Sequence, residues 1–275
     1  MTHDSTITLE RRTPKIARVA FANPPANLIV SETVTRLDEI LRELDDDPDI
    51  QVVVFTSGVP DFFFNHFDLA AAGDFPLPQK DGMPMWTDIV LRLSRAPYIT
   101  VAAIRGRTRG GGNELALAFD LRYASRERAI FGQPEVGGGL LPGGGGTERL
   151  PRFIGRDRAL EVILSSDDYD ASTAERWGWI TRALPDAELD DFVDAIAARL
   201  ASFDRTSLAS AKTMVNRASL PPDADLVTAY GEFAHSMTLP GYLSRAAGAE
   251  ALVPQLGLDF ELRMGEYIGI ANQLA

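Results

Sequence analysis

Two glutamates and a run of glycines are the residues of this sequence best suited to chemistry. Gly110–Gly112 precede Asn113 and Glu114, and Glu135 follows in a Gln-Pro-Glu sequence. The glycines leave backbone N–H groups accessible beside the carboxylate of Glu114, and the chain can fold so that the carboxylate of Glu135 lies near it. Together these groups can transfer a proton next to a stabilised carbonyl oxygen. The sequence therefore predicts an enzyme.

The position of these glycines predicts what they bind. They follow a predicted strand and open a predicted helix, so their N–H groups lie at a helix N-terminus, where the macrodipole favours negative charge. Such a site suits an enolate-like oxygen. The sequence contains no GxxxxGK[ST], GxGxxG or GxSxG pattern, which argues against a nucleotide-binding loop and against the nucleophile elbow of a serine hydrolase.

Strands and helices alternate along the chain ahead of these motifs and through them. Strands are predicted at Ile16–Phe21, Gln51–Thr56, Tyr98–Ile104 and Leu121–Ala124, and helices at Ser31–Leu44 with Ser31 as its cap, Met83–Leu93 and Gly112–Phe119. This alternation is typical of an α/β fold with mostly parallel strands and right-handed crossovers.

After about Ser202 the pattern becomes helical. Helices are predicted at Thr206–Ala218, Ala224–Met237 and Pro240–Leu252. We therefore predict an α/β core over residues 1–202 and a helical C-terminal region over residues 203–275. The C-terminal region is either a second unit or the last layer of one domain.

Composition limits the classes of function. The chain has 275 residues, 45% of them hydrophobic, which is enough to bury a large core. The absence of cysteine excludes disulfides and thiolate chemistry, and three separated histidines, His3, His66 and His235, argue against a zinc site. A net charge of −12 disfavours nucleic acid as a partner. No apolar run approaches the roughly 18 to 20 residues of a membrane span, so we predict a cytoplasmic protein without a membrane partner.

Several motifs, in order along the chain, resemble the crotonase (enoyl-CoA hydratase/isomerase) superfamily. The resemblance implies a crotonase-like spiral of ββα units followed by helices, an acyl-CoA thioester as substrate, and a homotrimer or a dimer of trimers. It implies no cofactor other than the coenzyme A of the substrate, and no metal. The matching segments are 22–27, 61–69, 102–106, 110–117, 131–135, 141–150, 174–179 and 211–216.

The resemblance also implies roles for individual residues. Glu114 and Glu135 would activate a water and exchange a proton at the α-carbon, and the backbone N–H groups of Phe67 and Gly111 would hold the thioester oxygen. Gly143 would supply an amide near that water. The other residues that the resemblance places against substrate or coenzyme A are Asn27, Asn65, His66, Asp68, Leu69 and Pro142.

The pair of glutamates favours a hydro-lyase that adds water to a 2-enoyl-CoA thioester or removes it. An isomerase, a hydrolase or a decarboxylase would use the same oxyanion hole, and a non-catalytic CoA-binding or scaffold member is the alternative of another class. The sequence leaves open the acyl chain and which glutamate serves as acid.

Some residues depart from the pattern of the superfamily. His66 stands where a small residue or glycine is usual, and it is a ligand contact, an added acid/base group or a loop histidine that packs its ring. Arg105, Arg107 and Arg109 either meet CoA phosphates or pair with carboxylates of the protein itself, and the second is favoured. The segment Gly257–Ala275 lacks the basic ending that often closes the CoA site. The aromatic residues predicted to lie in the core or at a trimer contact are Phe62–Phe64, Trp177 and Trp179.

Overall fold

Two β-sheets form the centre of the computed structural model, which describes residues 6–75 and 82–274. His3 and the polar N-terminus lie outside these residues. The larger sheet has the strand order β1-β2-β3-β5-β7-β10, in which β1 and β2 are antiparallel and the other neighbours are parallel. Its strands are β1 (Ile7–Thr13), β2 (Ile16–Phe21), β3 (Val52–Ser57), β5 (Ile99–Ile104), β7 (Leu121–Ser125) and β10 (Arg182–Leu184).

The smaller sheet has the order β4-β6-β8-β9, with β4, β6 and β8 parallel and β9 antiparallel to β8. Each of its strands is only three residues long. They are β4 (Phe62–Phe64), β6 (Arg107–Arg109), β8 (Ile130–Gly132) and β9 (Asp168–Asp170).

From β3 to β8, successive strands go alternately to the two sheets. The pairs β3/β4, β5/β6 and β7/β8 each contribute one strand to the larger sheet and one to the smaller sheet, and each pair is followed by a helix. These helices are α2 (Met85–Arg95), α3 (Gly111–Ala118) and α4 (Gly146–Ile154). The chain is thus a spiral of ββα units, as the resemblance implied.

The larger sheet is buried on both faces, as is usual for parallel strands. Along β3, Val53 and Phe55 belong to the main core, whereas Val52 and Val54 pack in a second cluster with Val193. The main core faces α1 (Ser31–Asp45) and α2, and the second cluster faces α7 (Leu189–Ala201). Two further helices, α5 (Arg156–Ser165) and α6 (Ala171–Trp177), follow α4 and precede α7 along the chain.

The predicted strands and helices of the core are all present, with boundaries that differ by at most a few residues. The three-residue strands were not predicted, because so short a segment carries no readable alternation. The predicted cap of α1 was wrong. Ser31 is the first helical residue and Val30 is the N-cap, whose N–H donates to the hydroxyl of Thr33 at 3.3 Å.

The C-terminal region is helical, as predicted, and packs against the core. It contains α8 (Arg205–Ser219), α9 (Asp223–Ser236), α10 (Pro240–Leu256), α11 (Leu258–Leu262) and α12 (Met264–Ala271). The buried Lys212 of α8 pairs with Asp120 at 2.8 Å, and Asn216 donates to the carbonyl of Ser94 at 2.7 Å. The boundary at residue 202 stays a prediction. Within the described ranges, no helix is long and apolar enough to cross a membrane.

Helix α3 lies so close to the smaller sheet that its second residue must be glycine. A Cβ on Gly112 would lie 1.9 Å from the carbonyl oxygen of Phe64. We therefore expect Gly112→Ala to lower the free energy of unfolding by about 2 kcal/mol or more, because overpacking displaces backbone. Gly231→Ala is the matched control: it lies within exposed α9 with open space around it, and we expect a gain of about 0.5–1 kcal/mol. Urea denaturation measures both changes, and equal effects would contradict this account.

Candidate active site

Three loops meet at one edge of the smaller sheet because they follow its three adjacent parallel strands. The loop after β4 carries Phe67, the turn after β6 opens α3 with Glu114 in its first turn, and the loop after β8 carries Glu135. Backbone hydrogen bonds join the loops: the N–H of Gly112 donates to Asn65 at 3.0 Å, and that of Gly110 donates to Gly132 at 3.2 Å. The topology therefore brings the predicted catalytic residues together.

Two cavities open at this edge of the sheet. The smaller has a volume of about 140 Å³ and the larger about 520 Å³, and both are lined by Phe67, Leu69, Glu135 and Phe233. Glu114 and Gly143 line only the smaller cavity, whereas Gly111 and His66 line only the larger. The remaining walls of the smaller cavity are Val34, Ala72, Phe75, Met85, Trp86, Gly144, Tyr230 and Met237.

Glu114 is buried and is held by the N-terminus of α4. Its Oε1 accepts hydrogen bonds from the N–H groups of Gly144 at 2.7 Å and Gly146 at 2.9 Å. A helix N-terminus supplies such donors because its first N–H groups have no partner within the helix. One carboxylate oxygen is thereby fixed, and Oε2 is left for a ligand.

A buried line of hydrogen bonds holds Glu135. The indole N–H of Trp179 donates to Asn113 Oδ1 at 2.9 Å, and Asn113 Nδ2 donates to Gln133 Oε1 at 2.6 Å. Gln133 Nε2 then donates to both oxygens of Glu135, at 2.9 and 3.0 Å. Because an indole can only donate, it fixes the orientation of both amides and leaves a donor facing the carboxylate.

Burial raises the pKa of both glutamates. The pKa of Glu114 is raised to about 8, first by burial and then by the charge of Glu135, against the effect of its two N–H donors. Burial raises the pKa of Glu135 to about 7, against the hydrogen bond from Gln133. Near neutral pH the pair therefore holds about one proton, which makes one acid and one base available together.

Two backbone N–H groups beside the glutamates have no acceptor among the described residues. Around Phe67, the N–H of Ile29 donates to the carbonyl of His66, and the N–H of Asp68 donates to the carbonyl of Ile29, each at 2.9 Å. This bridge leaves the N–H of Phe67 unused. Gly111 is the first residue of α3, so its N–H lies ahead of the first helical hydrogen bond. Both residues line the larger cavity.

The other predicted contact residues fall into two groups. His66, Asp68 and Leu69 line the larger cavity, and Gly143 lines the smaller. The predicted contact residues Asn27, Asn65 and Pro142 are not among the described residues that line either cavity.

Asn27 and Asn65 instead hold the loops from behind. Asn27 Nδ2 donates to the hydroxyl of Ser57 and to the carbonyl of Phe63, and its Oδ1 accepts from the N–H of Asn23. Asn65 Nδ2 donates to Glu261 at 2.9 Å.

The three arginines before the glycines make contacts within the protein. Arg105 pairs with Asp186 and Asp190, and Arg109 pairs with Asp168 at 2.6 Å, as the favoured interpretation predicted. Arg107 donates to the carbonyl of Leu262 at 3.1 Å. The predicted core aromatics Phe62–Phe64 and Trp179 are buried, and Trp177 packs partly buried against the core.

Trp86 is a site residue that sequence reasoning missed. Its indole is 5% exposed, and its Nε1 has no partner among the described residues. Nε1 and Glu114 Oε2 both lie within 2.6 Å of the point that a Cβ on Gly144 would occupy. An unpaired buried donor beside a free carboxylate oxygen fits a bound water or hydroxyl group. Helical periodicity shows which residues of α2 are buried, and it carries no sign that one of them borders a cavity.

Gln133 and Glu261 were also missed. Gln133 stands beside Glu135 in the Gln-Pro-Glu sequence, which could have drawn attention to it, whereas nothing in the sequence around Glu261 links it to a loop almost 200 residues away. In the described part of the chain, no group of three histidine, cysteine, aspartate or glutamate side chains could hold a metal ion.

Comparison with known proteins adds independent findings. A family model described as enoyl-CoA hydratase/isomerase matches residues 11–239. The chain is 35% identical over 214 residues to a probable enoyl-CoA hydratase, echA8, of Mycobacterium tuberculosis, covering 76% of this chain and 81% of that protein. It is 30% identical over 219 residues to a short-chain-enoyl-CoA hydratase of Clostridium acetobutylicum, covering 78% of this chain and 83% of that one.

A solved structure resembles nearly the whole chain. It is described as "Crystal structure of a putative enoyl-CoA hydratase from Streptomyces avermitilis" and is 40% identical, with a TM-score of 0.90 over 96% of each chain. The similarity therefore extends through the C-terminal helices.

The raised pKa values predict how stability depends on pH. The pKa of Glu114 in the folded protein, about 8, is above the value of 4.5 expected for the unfolded chain. The stability that Glu114 contributes is therefore fully present below pH 4.5 and is lost as the pH rises toward about 8. Glu114→Gln removes the proton requirement and keeps an acceptor for Gly144 and Gly146. We expect its melting temperature to exceed that of the native protein at pH 8 by about 2 °C or more, with a smaller difference at pH 5. Scanning calorimetry measures this difference.

The exposed Glu161→Gln is the control, and its melting temperature relative to the native protein should not change with pH in this way. If the melting temperatures of the native protein and of Glu114→Gln changed by the same amount between pH 5 and pH 8, the burial of this charge would be contradicted.

Proposed function

This chain belongs to the enoyl-CoA hydratase/isomerase family, and we propose that within it the protein is a hydro-lyase that adds water to a 2-enoyl-CoA thioester. It is an enzyme of the hydratase/isomerase type, and enzymes of this family generally need no cofactor beyond the coenzyme A of the substrate. The proposal rests on one observation: two buried glutamates line one cavity beside two backbone N–H groups that have no acceptor among the described residues. Burial raises the pKa of both glutamates, which suits one to act as an acid and the other as a base.

The order of groups along the cavities supports an assignment of roles. The N–H groups of Phe67 and Gly111 belong to the larger cavity, Glu135 lines both cavities, and Glu114 lines only the smaller. A thioester whose oxygen meets the two amides has its second carbon next to Glu135 and its third carbon next to Glu114. We therefore assign Glu135 to the proton at the second carbon, and Glu114 to the water that attacks the third carbon.

The reaction then moves two protons. Glu114, ionised, takes a proton from water as the oxygen bonds to the third carbon, and the double-bond electrons shift toward the thioester oxygen. The N–H groups of Phe67 and Gly111 stabilise that oxygen, and one such donor is worth about 100- to 1000-fold in rate. Glu135 then delivers the shared proton to the second carbon. Because the pKa of Glu114 is the higher of the two, hydration proceeds from the less populated form in which Glu135 holds that proton, and dehydration, its reverse, starts from the favoured form. The pair ends with the same number of protons as it began, so exchange between the two glutamates resets the site.

The predicted assembly stays part of the proposal. We expect a homotrimer or a dimer of trimers, as the resemblance implies, and sedimentation analysis can measure the mass of the assembly.

Separate variants of the two glutamates test the assignment. Exchange of an α-proton of butanoyl-CoA in D₂O needs a base at the second carbon and the oxyanion amides, but no water at the third carbon. We expect Glu135→Gln to lose both this exchange and the hydration of crotonyl-CoA by about 100-fold or more. Glu114→Gln should lose hydration to a similar extent and keep most of the exchange. Loss of the conjugated-thioester absorbance and NMR of the α-protons provide the two measurements.

Glu148→Gln is the matched control, since Glu148 lies on α4 near Glu114 and lines neither cavity among the described residues. Two glutamine variants with full hydration would rule out the mechanism. A Glu114→Gln variant that loses exchange and a Glu135→Gln variant that keeps it would reverse the two roles.

The volume of the smaller cavity predicts the acyl group. A cavity of about 150 Å³ holds benzene in another protein, so about 140 Å³ takes a short chain or one ring beyond the third carbon. We expect kcat/KM to fall about 10-fold or more between six-carbon and sixteen-carbon 2-enoyl thioesters. Tyr230→Ala, which widens the smaller cavity, should reduce this ratio, and Tyr242→Ala, which faces only the larger cavity, should not. A preference of the native enzyme for the sixteen-carbon thioester would contradict this assignment.

A further inference from the structure

His66 joins the oxyanion loop to the C-terminal helices. Its Nε2 lies 2.9 Å from Glu261 Oε2 on α11, and its Nδ1 lies 2.8 Å from the carbonyl oxygen of Phe67. The side chains of His66 and Glu261 are 22% and 15% exposed, so the contact is shielded from bulk water. Glu261 Oε2 also accepts from Asn65 Nδ2 at 2.9 Å. The histidine that departs from the pattern of the family is thus bound at both ring nitrogens.

These partners determine the protonation of the ring. A carbonyl oxygen can only accept, so Nδ1 carries a proton. Burial raises the pKa of Glu261, but the contact with His66, followed by the charge of Arg109 and the hydrogen bond from Asn65, lowers it overall. An ionised Glu261 needs a proton on Nε2 as well. The attraction of Glu261 raises the pKa of His66 against the opposing effect of burial. An acceptor at each ring nitrogen therefore favours the imidazolium form of His66.

The charged ring lies beside the proposed acid. A Cβ on Gly110 would lie 3.0 Å from both Glu135 Oε1 and His66 Cβ, so the two side chains flank the same glycine. The charge of His66 lowers the pKa of Glu135, which burial raises. The ring also fixes the carbonyl of Phe67. The carbonyl of His66 and the N–H of Asp68 are bonded to Ile29, and the carbonyl of Phe67 is bonded to the ring. In the two peptide groups on either side of Phe67, only its N–H is therefore without a partner among the described residues.

Other charged groups face His66 from each neighbouring element. Arg109 on β6 is paired with Asp168 on β9, and it donates to the carbonyl of Glu261. Asp68 lies in the loop of His66 itself, where its carboxylate caps the next turn. Across the larger cavity, α10 contributes Arg245 and Glu250. Arg109 is already paired with Asp168, whereas His66 lies in the oxyanion loop itself and contacts the carbonyl of Phe67.

We propose that His66 is a positioning residue, an imidazolium that orients the oxyanion peptide and makes Glu135 a stronger acid toward the second carbon, and that Glu261 on the C-terminal segment keeps it charged. This inference rests on the proposed hydration reaction for its kinetic part. It assigns a role to α11 as well. Arg107 and Arg109 hold the carbonyls at the end of this helix, and Glu261 brings the counter-charge of the site from there.

The consequence is measurable in the pH profile of hydration. The glutamate pair must hold one proton, so kcat/KM should follow a bell whose two limbs report the pair. Loss of a neighbouring positive charge raises the pKa of a carboxylic acid. Both limbs should therefore move to higher pH, by about half a unit to one unit, when His66 is neutral or absent.

Two variants and a control test this expectation. His66→Asn keeps a donor near the carbonyl of Phe67 and removes the charge, and Glu261→Gln keeps the shape of the counter-ion and removes its charge. Both should shift the bell upward. Arg107→Gln loosens the same helix by removing the bond to Leu262 and leaves the ion pair in place. It should leave the bell where it is in the native enzyme. If all three variants lower the rate equally with an unshifted bell, the contact is only a tether and the proposal is wrong.

NMR titration of the native protein provides a test that needs no turnover. The His66 ring signal, assigned by its absence in His66→Asn, should titrate above the ordinary histidine value of 6.5, and Glu261→Gln should lower its midpoint. A neutral His66 ring at pH 6.5 in the native protein would overturn the proposal. A ring that titrates as expected, in a protein that hydrates no enoyl-CoA, would instead refute the proposed reaction and leave the ion pair standing.

Discussion

The structure depends on keeping two glutamates in one low-dielectric cavity. Two buried carboxylates cannot both be ionised at low cost, so the fold must hold them with about one proton between them. The protein meets this requirement with fixed donors. Two N–H groups from the start of α4 face Glu114, and Gln133 faces Glu135. These donors favour the ionised forms against burial, and the proposed charge on His66 adds to them at Glu135.

The glycines and the short strands serve the same requirement. Gly144 lies so close to both Trp86 and Glu114 that no side chain fits there, and Gly112 touches the backbone of β4. The smaller sheet has only three residues in each strand, yet its parallel order puts three loops at one edge. These short strands therefore fix the positions of the four proposed catalytic residues, Phe67, Gly111, Glu114 and Glu135, while the larger sheet provides the buried core.

The sequence predicted the core of the fold and the main site residues, because both leave local signals. The four central strands of the larger sheet, β2, β3, β5 and β7, are long enough for their apolar pattern to be recognised, whereas the edge strands β1 and β10 were not predicted. Glu114 and Glu135 stand in motifs that resemble a known family. The smaller sheet leaves no such signal. Trp86 reads as one more apolar residue of α2, and Glu261 meets His66 only through tertiary contact. Of the three arginines before the glycines, Arg105 and Arg109 pair with carboxylates of the chain itself, whereas Arg107 donates to a backbone carbonyl.

The line from Trp179 through Asn113 and Gln133 to Glu135 has a direction that cannot be reversed, since an indole has no lone pair to accept with. Every link depends on the polarity of the one before it. A lineage that drifts by single substitutions cannot invert one amide without orphaning two neighbours inside the protein. Its members are therefore confined to exchanges that preserve this direction, or to simultaneous replacement of the whole line, and divergence toward new chemistry should begin at the cavity walls.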